Sequence, residues 1–277
     1  MIPVPASAAA AATVPVAGTG GNGTAYLRLF KFRYHLSYAT VVFAALIFSG
    51  TPSIQLAGQL TVLYICFNLL LYAGIYACND VADVDSDRRH PNKCDRPVAS
   101  GAIPVAGALL FAGTTIGLGL AGAHYGFGRG MTRTFVAFLA LNAVYSLVAR
   151  EIPALDLIFN GLTHPLRFLM GVSLTGRETP ALHLIVVLAV AMGVASLRRL
   201  VELEAPGAAA RATLRRYTRE QLLLVVLLGL ATVAVAAAID RLASPGFLAA
   251  IVPACVLLAV ASLSASARRL LVAFWTR

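Results

Sequence analysis

Apolar runs of up to about twenty residues, separated by short polar links, constrain this chain more than any other feature. A helix needs about 20 residues to cross the hydrocarbon core of a bilayer. Runs of this length without strict alternation are not barrel strands. They fall at 36–50, 59–78, 104–122, 133–149, 154–174, 181–197, 220–239 and 246–264. They predict an all-α, multi-pass transmembrane helical bundle of about eight to nine spans. Residues 1–24 contain prolines and lack a basic leader, so they are expected to be a flexible tail. Residues 25–277 are expected to form a single transmembrane domain.

Only 12% of the residues are charged, where a soluble domain carries about a quarter. The formal charge of +10 does not point to nucleic acid, because its distribution follows the spans. Arg28, Lys31, Arg33, Arg88, Arg89, Lys93, Arg96, Arg150, Arg198, Arg199, Arg211, Arg215, Arg216, Arg219, Arg268, Arg269 and Arg277 fall on one side. Arg129, Arg133, Arg177 and Arg241 fall on the other. The asymmetry predicts both termini on the cytoplasmic side, which requires an even span count, with the plasma membrane as the expected location. Much of the charge then faces anionic lipid. Cys66, Cys78, Cys94 and Cys255 show no metal-ligand or disulfide spacing.

The stretch "NDVADVDSDRRHPNKCDRP" (79–97) holds Asp80, Asp83, Asp85, Asp87 and Asp95, five of twelve acidic residues, next to an apolar run. Asp80, Asp83 and Asp87 are three and four apart, so a continuing helix is expected to turn all three to one side, with Asn79 close by. Asp85 points elsewhere. Carboxylates gathered in a partly dehydrated place need a cation. Mg²⁺ takes oxygen ligands and is commonly shared with substrate phosphates. Arg88, Lys93 and Arg96 follow, and guanidinium suits phosphate geometry. Together these residues predict a diphosphate site with Asp80, Asp83 and Asp87 as metal ligands. His90 and Pro91 are expected to end the helix.

This stretch resembles the UbiA superfamily of intramembrane prenyltransferases, whose signature Asn-Asp-x-x-Asp-x-x-x-Asp is met by Asn79, Asp80, Asp83 and Asp87. The similarity runs from about residue 25 to 265 and implies a UbiA-like bundle. It further implies Mg²⁺ held against an isoprenoid diphosphate, with the isoprenoid tail in a lipid-facing tunnel. The second aspartate signature of many members is absent. "RRLVEL" (198–203) instead resembles the Lys-Arg-x-x-Glu-Leu element of the decaprenyl-phosphate phosphoribosyltransferase subgroup, with Arg198 in place of Lys. "LRLFKFRYHLSY" replaces that subgroup's N-terminal element.

The second polar stretch (196–221) makes Arg198, Arg199 and Glu202 candidates to complete an anion pocket. Within the fifth run, Asn160, His164 and Arg167 share a face, and an intramembrane Arg is a functional candidate. Arg167 is the expected partner for phosphate. Arg33 and His35 are weighed as further contacts, and Tyr145 and Ser146 as inter-helix hydrogen bonders. The leading function is Mg²⁺-dependent isoprenyl transfer from an isoprenoid or polyprenyl diphosphate, with Asp83 or Asp87 available as a base and Arg167 and Glu202 assisting. Phosphoribosyl transfer to a polyprenyl phosphate, and terpene cyclisation, are the alternatives.

Overall fold

The apolar runs become helices that extend past the limits of the hydrophobic pattern, because polar residues cap or prolong them. The computed structural model describes residues 22–90, 93–204, 213–239 and 245–275. Helix α1 (Asn22–Leu29) leads through Lys31 to a 3-10 segment (Phe32–Tyr38) and α2 (Ala39–Ser49). Next comes a rod of α3 (Ile54–Tyr64), a π-helical segment (Ile65–Tyr72) and α4 (Ala73–Ala82), prolonged beyond Asp83 by α5 (Val84–Arg88). Then follow α6 (Val105–Phe127), α7 (Arg129–Leu147), α8 (Pro153–Ser173) and α9 (Ala181–Glu204). Helices α10 (Arg219–Ala238), α11 (Pro245–Leu263) and α12 (Ala265–Trp275) close the bundle. Most of the expected tail, and Pro91, Arg211, Arg241 and Arg277, lie outside the described residues.

Local chemistry sets several starts. The Ser53 hydroxyl accepts from the Leu56 amide at 3.1 Å and opens α3. Thr218 and Gln221 form a reciprocal capping box at α10. Pro153 sits in the first turn of α8, where its missing N–H is no loss.

Among the described residues, six helical stretches are long and apolar enough to cross a membrane: Gly23–Ser49, Ile54–Ala82, Val105–Phe127, Ala181–Glu204, Arg219–Ala238 and Gly246–Leu263. The expectation of eight to nine is corrected to that number on this criterion. Helices α7 and α8 occupy the predicted positions but carry too many polar groups. Arg129, Arg133 and Asn142 lower α7; Asp156, Asn160, His164 and Arg167 lower α8.

Helix α8 packs against α2, α7 and α9, and α6 packs along the π segment and α4. At Gly171 a side chain would run into the Val41 carbonyl oxygen, so α2 and α8 touch backbone to backbone. At Gly119 a Cβ would stand 2.8 Å from the Cys66 carbonyl oxygen, which lets α6 lie against the π segment. The largest apolar cluster, around Phe67, Leu71, Phe135, Phe138 and Met170, fills the space between these helices.

The 29 residues from Ile54 to Ala82 rise about 43 Å, more than the roughly 30 Å of hydrocarbon. Their last turns, bearing Asn79 and Asp80, therefore reach the polar boundary. Helix α6 leaves from that end, α7 returns to it, α8 leaves again and α9 comes back. Asp80–Asp87, the α7–α8 link and the C-terminus of α9 are thereby gathered at one end of the bundle.

Candidate active site

The aspartates fall on two faces, not one. On an ideal helix 80 and 87 lie within about 20° of each other and 83 about 60° from 80, but α4 ends at Ala82, α5 starts at Val84, and Asp83 between them turns to a different partner. Asp80 and Asp87 are buried; Asp83 is half-buried. On the first face, the Lys31 ammonium donates to Asp80 Oδ1 at 2.6 Å. The Arg96 guanidinium bridges Asp80 Oδ1 at 3.3 Å and Asp87 Oδ2 at 2.7 Å. Lys93 stands 4.0 Å from Asp87. On the second face, Arg150 donates to Asp83 Oδ1 at 2.7 Å, and Ser146 donates to Asn79 Oδ1 at 2.9 Å.

The expected convergence of three carboxylates is thus corrected. Among the described residues, no group of three or more His, Cys, Asp or Glu side chains gathers as a metal cage. Like charges in a poorly solvated place separate toward the available cations, and each aspartate here has one.

One atom breaks this pairing. Asp80 Oδ2 is buried and makes no hydrogen bond. A buried carboxylate oxygen left bare is costly, and an ion or ligand group is a ready explanation. Asp80 Oδ2 and the neighbouring Asp87 form the all-oxygen donor set that a hard divalent cation takes, so the residues present fit Mg²⁺.

Lys31 and Arg150 were visible in the sequence only as members of the basic side. Lys31 is the one non-glycine at positive φ (47°) among the described residues, a left-handed conformation costing on the order of 1 kcal/mol. The kink between α1 and the 3-10 segment aims its side chain at Asp80. The hydrogen bond from Arg150 to Asp83 raises the guanidinium pKa above its already high ordinary value, so Arg150 stays charged.

Of the basic residues expected at the phosphate, Lys93 and Arg96 are in place. Arg88 is turned outward, donating to the Ala99 carbonyl at 3.2 Å and lying 3.6 Å from Asp85. It holds the loop instead of joining the basin.

A second cluster lies where α8 begins and α9 ends. The sequence places Arg198, Arg199 and Glu202 at the edge of a loop, but α9 runs on to Glu204 and carries all three. Arg199 grips Asp156 with two nitrogens, at 2.6 and 2.7 Å, and reaches Glu202 at 2.6 Å. Asp156 is fully buried and also accepts from Tyr145 and Tyr217, each at 3.0 Å, and from Asn160 at 3.3 Å. Burial and the Asp156 carboxylate raise the Tyr217 pKa well above its ordinary value. Arg199 is therefore committed to carboxylates, and its expected phosphate contact gives way to a structural clamp between α8 and α9. Glu202 is held by both Arg198, at 2.9 Å, and Arg199.

Arg167 is eleven residues beyond Asp156 on α8, about 16 Å deeper along the axis. It is buried among aromatic faces, its guanidinium carbon 4.8 Å from the Phe138 centroid, 5.4 Å from Tyr72 and 5.7 Å from Phe67. One nitrogen donates to the Thr163 carbonyl at 3.1 Å, while Nε has no hydrogen-bond partner. It does not join the Asp80–Asp87 basin directly. Tyrosines connect the two: the Tyr72 and Tyr76 hydroxyls are 3.0 Å apart, and Lys31 stands 5.0 Å above the Tyr76 ring. His35 is saturated by the Tyr64 hydroxyl at 2.7 Å and the Phe30 carbonyl at 3.0 Å, and Arg33 hydrogen-bonds the Tyr34 hydroxyl.

The sequence model of the UbiA prenyltransferase family matches residues 37–272. The chain belongs to that family. A decaprenyl-phosphate phosphoribosyltransferase from Corynebacterium glutamicum is 29% identical over 187 residues, covering 64% of this chain and 55% of the relative. Its counterpart from Mycobacterium tuberculosis is 26% identical over 168 residues, covering 60% and 55%. The match thus spans little more than half the length of these curated relatives. Among solved structures, a UbiA homolog from Archaeoglobus fulgidus bound to GPP and Mg²⁺ superposes with a TM-score of 0.68 at 19% identity, covering 91% of this chain and 96% of that one. A digeranylgeranylglyceryl phosphate synthase superposes with a TM-score of 0.66 at 15% identity, covering 92% and 93%. At such identities the likeness establishes the fold: an all-α, multi-pass membrane bundle of the UbiA type.

Proposed function

We propose that this family member is a Mg²⁺-dependent prenyltransferase that binds an isoprenoid or polyprenyl diphosphate at the Asp80–Asp87 end of the bundle and passes the isoprenyl group to an acceptor. The bare buried oxygen of Asp80, in a basin ringed by Lys31, Lys93 and Arg96, carries this reading. Asp80 and Asp87 would hold the metal, which when bound supplies positive charge to the diphosphate. Asn79 and Asp83 border the same site.

The chain's own groups do the rest. Lys31, Lys93, Arg96 and Arg150 offer cationic donors to the diphosphate oxygens as negative charge builds during C–O cleavage. Tyr34, Tyr76 and Tyr72, whose rings pack in series beside Lys31, would help keep water from the allylic carbon. The acceptor attacks that carbon, diphosphate departs, and Asp83 or Asp87 can take the proton a carbon acceptor releases. Helices α7 and α8, at 19 and 21 residues, cross with the six apolar stretches to make eight spans. Both ends of the bundle chain then face the cytoplasm, in the plasma membrane.

A second reading, phosphoribosyl transfer to a polyprenyl phosphate, is favoured by the Arg198–Arg199–Glu202 element of α9 and by the names of the curated relatives. Purified full-length protein in nanodiscs, given Mg²⁺ and either geranylgeranyl diphosphate or 5-phosphoribosyl diphosphate with candidate acceptors, separates the two. Consumption of one donor is expected, with loss on EDTA treatment and in Asp80→Ala. Full activity of a folded Asp80→Ala protein would refute the metal assignment.

A further inference from the structure

At the other end of the bundle, a shallow, open groove of about 430 Å³ lies along α7 beside the last turn of α6. Helix α6 starts just after the aspartate loop and runs 23 residues, so this end lies about 34 Å away, a bilayer's thickness from the candidate active site. Nothing in the proposed transfer reaction uses it.

The lining is polarised along α7. Arg129, Arg133, Val136, Ala137 and Ala140 fall within about 100° of one another around the helix, forming one stripe. The charged end has the two arginines with Thr132 and His124, whose side chains lie 3.5 Å apart. The rest of the wall is small and apolar, and Val136 is 49% exposed. From Arg129 to Ala140 the stripe descends about 17 Å, close to the depth of one leaflet.

Both arginines are exposed, and neither has a carboxylate partner among the described residues. They also stand on the side where the sequence otherwise places few basic residues. Charged side chains kept at a membrane boundary beside an apolar groove call for an anion attached to an apolar body. A phosphodiester meets two guanidinium groups well. A choline headgroup would bring its own cation to the same place, and free phosphate would leave the groove below empty.

We propose that this groove is a binding site for one anionic phospholipid, its phosphate between Arg129 and Arg133 and one acyl chain along Val136, Ala137 and Ala140. The proposal is independent of the reaction assigned to the opposite end.

The test uses the full chain, delipidated in mild detergent and titrated with phosphatidylglycerol or phosphatidylcholine, with bound lipid read by native mass spectrometry. Wild type should prefer phosphatidylglycerol on the order of thirtyfold, the size expected for two arginines at a membrane surface. The double variant R129Q/R133Q should lose that preference. Ala140→Trp, which fills the groove and leaves the charges, should weaken binding of the lipid, while Arg177→Gln should change nothing. Monodisperse elution of each variant controls for folding. A wild type without preference, a preference surviving R129Q/R133Q, full binding in a folded Ala140→Trp, or an equal loss in Arg177→Gln would each overturn the site.

Discussion

Asp156 shows how a single carboxylate can organise an end of the bundle. It is fully buried, and its charge is met by two nitrogens of Arg199 while Tyr145, Tyr217 and Asn160 satisfy its remaining lone pairs. Buried ion pairs contribute little net stability when intact, but removing one partner strands the other charge at a cost of about 3–5 kcal/mol. Asp156→Ala should therefore lower the unfolding temperature sharply, as followed by thermal unfolding in detergent, with Arg199 left facing Glu202 alone. The double variant D156N/R199Q should recover part of the loss, because neither group then needs a counter-charge. Asp80 is the contrasting case: its pairing with Lys31 and Arg96 engages one oxygen and leaves the other bare.

The π segment Ile65–Tyr72 is the element with the clearest consequence. In a regular α-helix, residues five apart point some 140° away from each other. The wider π turn brings Phe67 and Tyr72 onto one face, their rings 6.0 Å apart and nearly parallel. Arg167 lies against both and against Phe138. π turns inside helices arise where an extra residue is accommodated, frequently near functional sites. Tyr72→Ala should remove the ring stacked on Phe67 and take one aromatic face from Arg167. The expected outcome is a folded but less stable protein with at least tenfold lower turnover, read by thermal unfolding and by the donor-consumption assay. The apolar pattern of "ICFNLLLY" carries no mark of this change of pitch, since every residue around the helix is apolar except Asn68.

For the whole molecule, the alternation of helices places Asp80–Asp87, Arg150, the C-terminus of α9 and Lys31 together, and the Arg129–Arg133 groove at the opposite end. If α7 and α8 cross alongside the six apolar stretches, positions at successive helix ends must alternate sides. In a protein freed of Cys66, Cys78, Cys94 and Cys255, single cysteines at Gly101 and Glu151 should react with an impermeant maleimide from one side. Cysteines at Tyr125 and Glu178 should react from the other. Labelling of Gly101 and Glu151 from opposite faces would show that α7 does not complete the return crossing.

Hydrophobic run length is a local property, so the helical bundle, the positions of its six long apolar stretches and the acidic stretch near Asp80 were readable residue by residue. The spacing of Asn79, Asp80, Asp83 and Asp87 pointed to the candidate site end for the same reason. Which cation each carboxylate meets was not readable, because those partners are 49 residues away for Lys31 and 67 for Arg150. Nor was the capture of Arg199 by Asp156, 43 residues away. Pairings of that kind are chosen when helix ends meet in space, where a buried charge takes whichever opposite charge packing brings within reach, and no spacing along the chain encodes that choice.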